Sequence, residues 1–216
     1  MKEIVLIGAS GFVGSAILKE ALDRSHKVTA VVRYPEKITM VHKNLIVKQG
    51  DVSLRGTVRE VSKGADAVLS AYNPGWKNPD IATETTRVYR TILEGVRQSG
   101  VKRFLVVGGA GSLFISPGKR LMDSGVMPEF ILPAVRALAE FYLNDLEAEK
   151  NIDWVFFSPA GNIKPGTRTG KYRLGKDDLI VNETGESIIS VQDYAVAMID
   201  ELERPSHHQE RFTIGY

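Results

Sequence analysis

A doubly wound parallel α/β sheet with a small C-terminal cap is the fold class that this sequence predicts. Three observations predict it. Short apolar runs rich in β-branched residues alternate with segments of helical period from residue 3 to Pro159. The first run breaks into three glycines and leaves as a helix, the way strand–turn–helix units of a parallel sheet begin. A chain of 216 residues, 43% hydrophobic, is long and apolar enough to bury one good core.

Each element follows in order. EIVLIG (3–8) is apolar at successive positions, as a strand covered on both faces requires. FVGSAILKEALDRS (12–25) sets Val13, Ile17 and Ala21 on one helical face. KVTAVVR and NLIVKQG read as the second and third strands, SLRGTVREVSK (53–63) as a helix, and ADAVLSA as the fourth strand. DIATETTRVYRTILEGVRQSG is a long helix stopped by Gly100. KRFLVVGG is a fifth strand, PAVRALAEFYLNDLEAEK (133–150) a helix and IDWVFFSPA a sixth strand. Right-handed crossovers would lay these strands parallel. Beyond Pro159 the alternation changes. GKYRLGKDDLIV (170–181) predicts a hairpin around Gly175, and RFTIGY a closing strand. Between them SVQDYAVAMIDELERP predicts an amphipathic helix with Ser190 as its N-cap and Pro205 beyond its end. No repeat or linker divides the chain, so 1–216 is expected to be one domain, with 160–216 as its substrate-side cap.

Composition narrows the function. A net charge of +2, with Lys and Arg scattered among acids, argues against nucleic acid and anionic membranes as partners. The absence of cysteine removes disulfides, thiolate metal ligands and a cysteine nucleophile. No apolar run approaches the ~20 residues of a bilayer span, and a strand begins almost at Met1, so a cytoplasmic protein is expected. His207-His208 reads as a solvated loop without the convergent ligands of a metal site, and no metal is expected. DLEAEK and DELER read as the wet faces of helices.

The opening turn carries the chemistry. Gly8-Ala9-Ser10-Gly11-Phe12-Val13-Gly14 has G-x-x-G-x-x-G spacing between a strand and a helix. Gly8 permits the tight exit from the strand, Gly11 lets a pyrophosphate approach the backbone, and Gly14 lets the helix pack closely on the sheet. The positive helix end and its free N–H groups face the phosphates, so Ser10, Gly11, Phe12 and Val13 are expected to cradle a dinucleotide. An NAD site places an acid at the end of the second strand for the ribose 2′-OH; here Arg33 stands there. A guanidinium grips a 2′-phosphate bidentately, which favours NADP(H), with NAD(H) as the alternative.

Together these residues resemble the extended and atypical branches of the short-chain dehydrogenase/reductase superfamily, the NAD-dependent epimerase/dehydratase group with its NAD(P)-binding Rossmann fold. The resemblance covers the whole chain. It implies that Asp51 and Val52 in GDVS meet adenine. It also implies that Ala71, Tyr72 and Asn73 in SAYNPG lie beneath the nicotinamide ribose. Gly108 and Ser112 in FLVVGGAGSL would mark the exit of strand five, and Pro159 in FFSPAGNIKPG the loop near the nicotinamide. The C-terminal segments are similar to small bacterial NADH-flavin reductase-like proteins. NmrA-like NAD(P)-binding sensors and biliverdin-reductase-B-like flavin reductases are related.

One departure bears on the chemistry. Catalytic members carry Tyr-x-x-x-Lys on a helix, the lysine tuning the tyrosine as an acid. Alignment puts Leu132 at the tyrosine position and Arg136 at the lysine position, so no catalytic residue is assigned. Arg136 is expected to bind the nicotinamide ribose or a diphosphate. Tyr142 lies six residues from Arg136, on another face. Hydride transfer to a flavin or quinone needs no protein acid, which makes an NADPH-dependent reductase of such an acceptor the leading expectation. A redox sensor that binds NADP(H) without turnover is one alternative, and a sugar-nucleotide epimerase that recruits Tyr72 is another. Phe114, Met122, Met127 and Phe130 could wall the acceptor site or merely pack on the sheet, and Trp76 reads as a packing anchor or a stacking platform.

Overall fold

The structure is a computed structural model that describes all residues, 1–216. Its main sheet has eight strands. Along the chain these are β1 (Glu3–Ile7), β2 (Lys27–Val32), β3 (Leu45–Gln49), β4 (Ala67–Ser70), β5 (Arg103–Val107), β8 (Asp153–Ser158), β10 (Arg173–Gly175) and β12 (Glu210–Gly215). Their spatial order is β10-β12-β8-β5-β4-β1-β2-β3. All neighbours pair in parallel except β10, which runs antiparallel to β12. The helices are α1 (Phe12–Asp23), α2 (Thr57–Ser62), α3 (Ile81–Ser99), α4 (Leu132–Glu140) and α5 (Val191–Glu203).

Strand periodicity divides the core in two. In β1, Ile4 and Leu6 face α1 and α5, whereas Val5 and Ile7 face α2, α3 and the segment after α4. Burial on both sides explains the apolar runs of β1, β4, β5 and β8, whereas the edge strand β3 is half-exposed and ends in Lys48 and Gln49. Phe157 of β8 lies in the first layer, its ring stacked 4.4 Å from Tyr194 of α5 and 4.1 Å from Phe212 of β12. The Ser190 hydroxyl accepts the Asp193 N–H and caps α5, as its sequence predicts. Gly100 ends α3 at φ +83°.

Four local readings are corrected. The helix expected from residue 53 begins at Thr57, because Gly56 at φ +88° turns the chain before it. The helix expected over 133–150 is α-helical only to Glu140, then widens into a π turn, Phe141–Leu146. That turn sets Tyr142 against Phe156 at 4.6 Å. No hairpin forms at 170–181. Only β10 is extended there, and it pairs with β12, while Ile180 folds back onto Gly175 and Gly215. The segment after β5 contains its own small hairpin, β6 (Phe114–Ser116) with β7 (Lys119–Arg120). A further small parallel pair joins β9 (Asn162–Lys164) to β11 (Ile188–Ser190).

The C-terminal region is fastened to α1 by ionic contacts. Glu20 of α1 accepts a bidentate pair of hydrogen bonds from Arg168 and another from Arg24, which also reaches Asp200 and Glu203 of α5. Asp193, buried, accepts from the Thr169 N–H and hydroxyl, the Gly170 N–H and the Tyr216 hydroxyl.

Candidate functional site

In the sheet order, the chain proceeds from β1 outward through β2 and β3, then returns to the other side of β1 with β4. The two directions part at the carboxyl end of β1, which leaves a crevice there. A cleft of about 140 Å³ occupies that crevice. Its walls are Ile7, Gly8, Ser10 and Gly11 from the first turn, Val31–Arg33 from β2, Gly50–Val52 after β3, and Ala71–Asn73 after β4. Nine of the residues singled out in the sequence are thereby brought together: Gly8, Ser10, Gly11, Arg33, Asp51, Val52, Ala71, Tyr72 and Asn73. Ile7, Val31, Val32 and Gly50 were not singled out, because as strand ends they carry no signal beyond apolarity or smallness.

The three glycines divide into two kinds. Gly8 has φ +79°, and a Cβ there would lie 2.4 Å from the Ala71 carbonyl oxygen. A Cβ at Gly14 would lie 2.1 Å from the Gly8 carbonyl oxygen. Both are demanded by packing of the fold. Gly11 is different. Its φ of −81° and ψ of 171° suit any residue, and a Cβ would make one close contact, 3.3 Å from the Gly8 oxygen, which a shift of a few tenths of an ångström would relieve. Gly11 is the N-cap of α1, whose first turn has neither a side-chain cap nor an acidic residue. The Gly11 N–H donates to the Gly8 carbonyl at 3.0 Å, and the N–H groups of the first turn that follow it are left for an anion. The missing Cβ keeps the cleft wall bare where they point, and this fits the diphosphate of a dinucleotide. Phe12 is half exposed beside them, Val13 leans on the core, and Gly14 is buried.

One end of the cleft is charged. Burial opposes the Asp51 carboxylate, but hydrogen bonds from Ser53 and the Arg33 and Arg87 guanidiniums outweigh it and hold its pKa below the ordinary value. Arg87 of α3, which the sequence reading missed, is held by Glu84 at 2.9–3.0 Å and donates to the Ser53 carbonyl at 3.3 Å. No motif marks it, since it lies more than thirty residues from the loop it touches. Burial pushes the Tyr72 hydroxyl up to about 12, and the charges acting on it are Glu84, Arg33, Arg87 and Asp51. Tyr72, expected beneath the nicotinamide, lines the cleft beside Ala71 and Asn73, and the Tyr89 hydroxyl donates to its carbonyl.

The residues expected at the other end are more dispersed. Gly108 is required by the fold, since a Cβ would lie 2.6 Å from the Phe156 ring. Ser112 is buried and engaged: Arg211 of β12 donates to both its carbonyl and its hydroxyl, at 3.0 and 2.9 Å. Pro159 is buried after β8. Leu132 opens α4. On that helix Val135 meets Gly111 of the β5 exit, while Arg136 is exposed, 3.9 Å from Asp123. Trp76 is 56% exposed, so it is not a packing anchor. Phe130 is exposed, whereas Phe114 and Met127 are half-buried.

Two further readings are corrected. His207 is not solvated: its ring stacks on Phe212 at 4.1 Å and Nδ1 lies 2.8 Å from Glu201. His208, more exposed, bonds Asp153. Glu149 and Glu201 are not wet faces but buried carboxylates, paired with Arg97 and Arg103. No His, Cys, Asp or Glu cluster could hold a metal, and no helix is long and apolar enough to cross a membrane.

Comparison with known proteins agrees with this geometry. The family described as NAD(P)H-binding matches residues 8–205. The Bacillus subtilis protein YwnB is 42% identical, over 98% of this chain and 97% of its own. A Bacteroides thetaiotaomicron structure, provisionally called an epimerase, is 67% identical with a TM-score of 0.95 over 100% of this chain and 97% of that one. A Streptococcus pneumoniae structure, provisionally called an NADH-flavin reductase, is 34% identical with a TM-score of 0.86, over 100% and 99% of the two chains. The switch-point cleft, the glycine turn and these relatives lead to one conclusion: the chain belongs to the NAD(P)H-binding family, with its Rossmann fold.

Proposed function

We propose that the protein is an NADPH-dependent reductase of a flavin, a quinone or a comparable small conjugated acceptor. The observation that carries the reading is Gly11, which lines the cleft at the N-cap of α1 in a backbone conformation that does not itself demand glycine. Arg33, at the cleft wall where a carboxylate would select NAD, supports NADPH. When bound, the cofactor supplies a hydride. The chain's part is to hold it: the first turn of α1 takes the diphosphate, Arg33 the 2′-phosphate, and Asp51 with Val52 the adenine.

The acceptor class follows from what α4 lacks. Leu132 donates no proton, and the residue one turn on is an exposed arginine, Arg136, beside Asp123. An isolated carbonyl would need an acid at that position, whereas a flavin or quinone spreads the incoming charge over its ring and is protonated by water. The name given to the S. pneumoniae relative supports the same acceptor class. Epimerisation has weaker support, because it needs a base at a sugar carbon. The cleft walls offer only Asp51 and Tyr72 as groups that could act as one, and Asp51 is held by Ser53 and the charge of Arg33 and Arg87.

The test is oxidation of NADPH and of NADH by the purified protein, with and without FMN, riboflavin and a simple quinone, beside direct titration of both cofactors. Acceptor-dependent NADPH turnover is expected. Firm NADPH binding with no turnover across the panel would replace the reductase reading with that of a cofactor-holding sensor.

A further inference from the structure

We infer that Tyr34 and Lys37 determine cofactor choice together with Arg33, the tyrosine ring acting as the mount on which two cations are held for one phosphate. The inference rests on the NADPH reading above. β2 ends with Val31 and Val32 buried, and the next residues, Arg33 and Tyr34, are exposed. Pro35–Lys37 then form a single 3₁₀ turn, closed by the Lys37 N–H to the Tyr34 carbonyl at 3.1 Å and the Ile38 N–H to the Pro35 carbonyl at 3.0 Å. In a 3₁₀ turn residues i and i+3 eclipse, so Lys37 falls over Tyr34. Its ammonium lies 4.8 Å from the ring centroid. The Arg33 guanidinium lies 5.9 Å from the same centroid. Ile38 packs on the core and fixes the far side of the turn, while Gln49 of β3 donates to the Arg33 carbonyl at 3.3 Å.

Burial does not account for this arrangement, since the Tyr34 ring is 51% exposed. Neither do ion pairs. Glu36 stands between the two cations in sequence, yet no carboxylate lies within 4.0 Å of either. Asp51 acts on Arg33 only from beyond ion-pair distance, so two like charges share one corner and repel, and the negative face of an aromatic ring offsets part of that cost. A 2′-phosphate carries about −1.5 to −2 near neutral pH, so one guanidinium leaves it half neutralised and two cations match it. A ribose hydroxyl gains nothing from the pair. The pair therefore acts on the difference between the two cofactors.

Calorimetric titration of the full chain with NADPH and NADH, and with adenosine 2′,5′-bisphosphate and AMP, tests this. Lys37→Gln is expected to lower the NADPH-over-NADH preference about tenfold with NADH affinity held within about twofold. Tyr34→Leu, which removes no charge, is expected to lower it about three- to fivefold, and Tyr34→Phe to retain it. The same ratios are expected for the bisphosphate over AMP. An unchanged preference in both Lys37→Gln and Tyr34→Leu overturns the inference, as does an equal loss for both cofactors, which would assign the turn to the fold alone. A wild-type protein that binds NADPH and NADH equally overturns the cofactor reading beneath it, and is told apart because no variant is then needed to see it.

Discussion

Adding one methyl group separates the part of the glycine turn that the fold needs from the part that the ligand needs. In Gly11→Ala the new Cβ has one neighbour, the Gly8 oxygen at 3.3 Å, and a backbone already in an ordinary extended conformation. Alanine is a poorer N-cap than glycine by about 0.5–1 kcal/mol, but it stiffens the unfolded chain by a similar amount. The melting temperature is therefore expected to stay within about 4 °C of wild type. Gly14→Ala is the contrast. There the Cβ would sit 2.1 Å from the Gly8 oxygen, so α1 must move by more than an ångström. Such overpacking costs about 1–3 kcal/mol or more, a fall of roughly 3–10 °C. Binding should reverse the ranking of harm. The Gly11 methyl displaces a diphosphate from one or two charge-assisted hydrogen bonds of about 1.5–3 kcal/mol each, which raises Kd at least tenfold, in the range of about 10- to 10⁴-fold. Differential scanning fluorimetry and NADPH fluorescence titration measure the two quantities. A folded Gly11→Ala protein that binds NADPH as wild type does would refute the argument that the bare wall of the cleft holds the diphosphate.

Arg33→Asp is expected to weaken NADPH binding about a hundredfold and NADH binding little, since a carboxylate repels a 2′-phosphate but accepts from a 2′-OH; equal losses in parallel titrations would contradict the assignment. Stability should fall in acid. A hydrogen bond from Arg168 first, and then Arg24, against the cost of burial, hold the Glu20 carboxyl below its ordinary pKa. For Asp193 burial is outweighed by hydrogen bonds from Thr169, Tyr216 and Gly170. Depressed folded-state values stabilise fully above the ordinary carboxylate range, about pH 4, and that stability is lost as pH falls through the folded-state values. Melting temperatures across that range should decline, and the decline should be smaller in Arg168→Gln. Phe157→Ala empties the stack between Tyr194 and Phe212 and should cost about 3–5 kcal/mol in denaturant unfolding.

How much of this was legible depended on distance along the chain. The β1–α1 turn was readable because every constraint on Gly8, Gly11 and Gly14 except the Ala71 contact lies within that turn. The parallel strands were readable because burial on both faces leaves an apolar run that no turn interrupts. Arg33 was marked by its position at the end of β2, and Asp51 by the resemblance of GDVS to its family's pattern. What failed involved partners far away in sequence. The run at 170–181 has the look of a hairpin, but β10 finds its partner in β12, forty residues on. The hold of Arg211, from the last strand, on the Ser112 hydroxyl has no local signature. Glu201 and His207 read as solvated because Arg103 and Phe212, which cover them, are invisible to local pattern. Arg87 was missed for the same reason.

The position of β12 has a consequence for how the protein is made. It lies between β8 and β10, and its Phe212 completes the stack on Phe157 in the layer that also contains Ile4 and Leu6. Synthesis proceeds from the amino end, so β1 to β8 are complete while the outer edge of β8 is still unpaired and its aromatic ring uncovered. An open apolar edge of that kind is a template for another strand. The nascent chain must therefore wait, half assembled, until residues 210–215 arrive, and that interval is when a chaperone or a neighbouring ribosome's product has its opportunity.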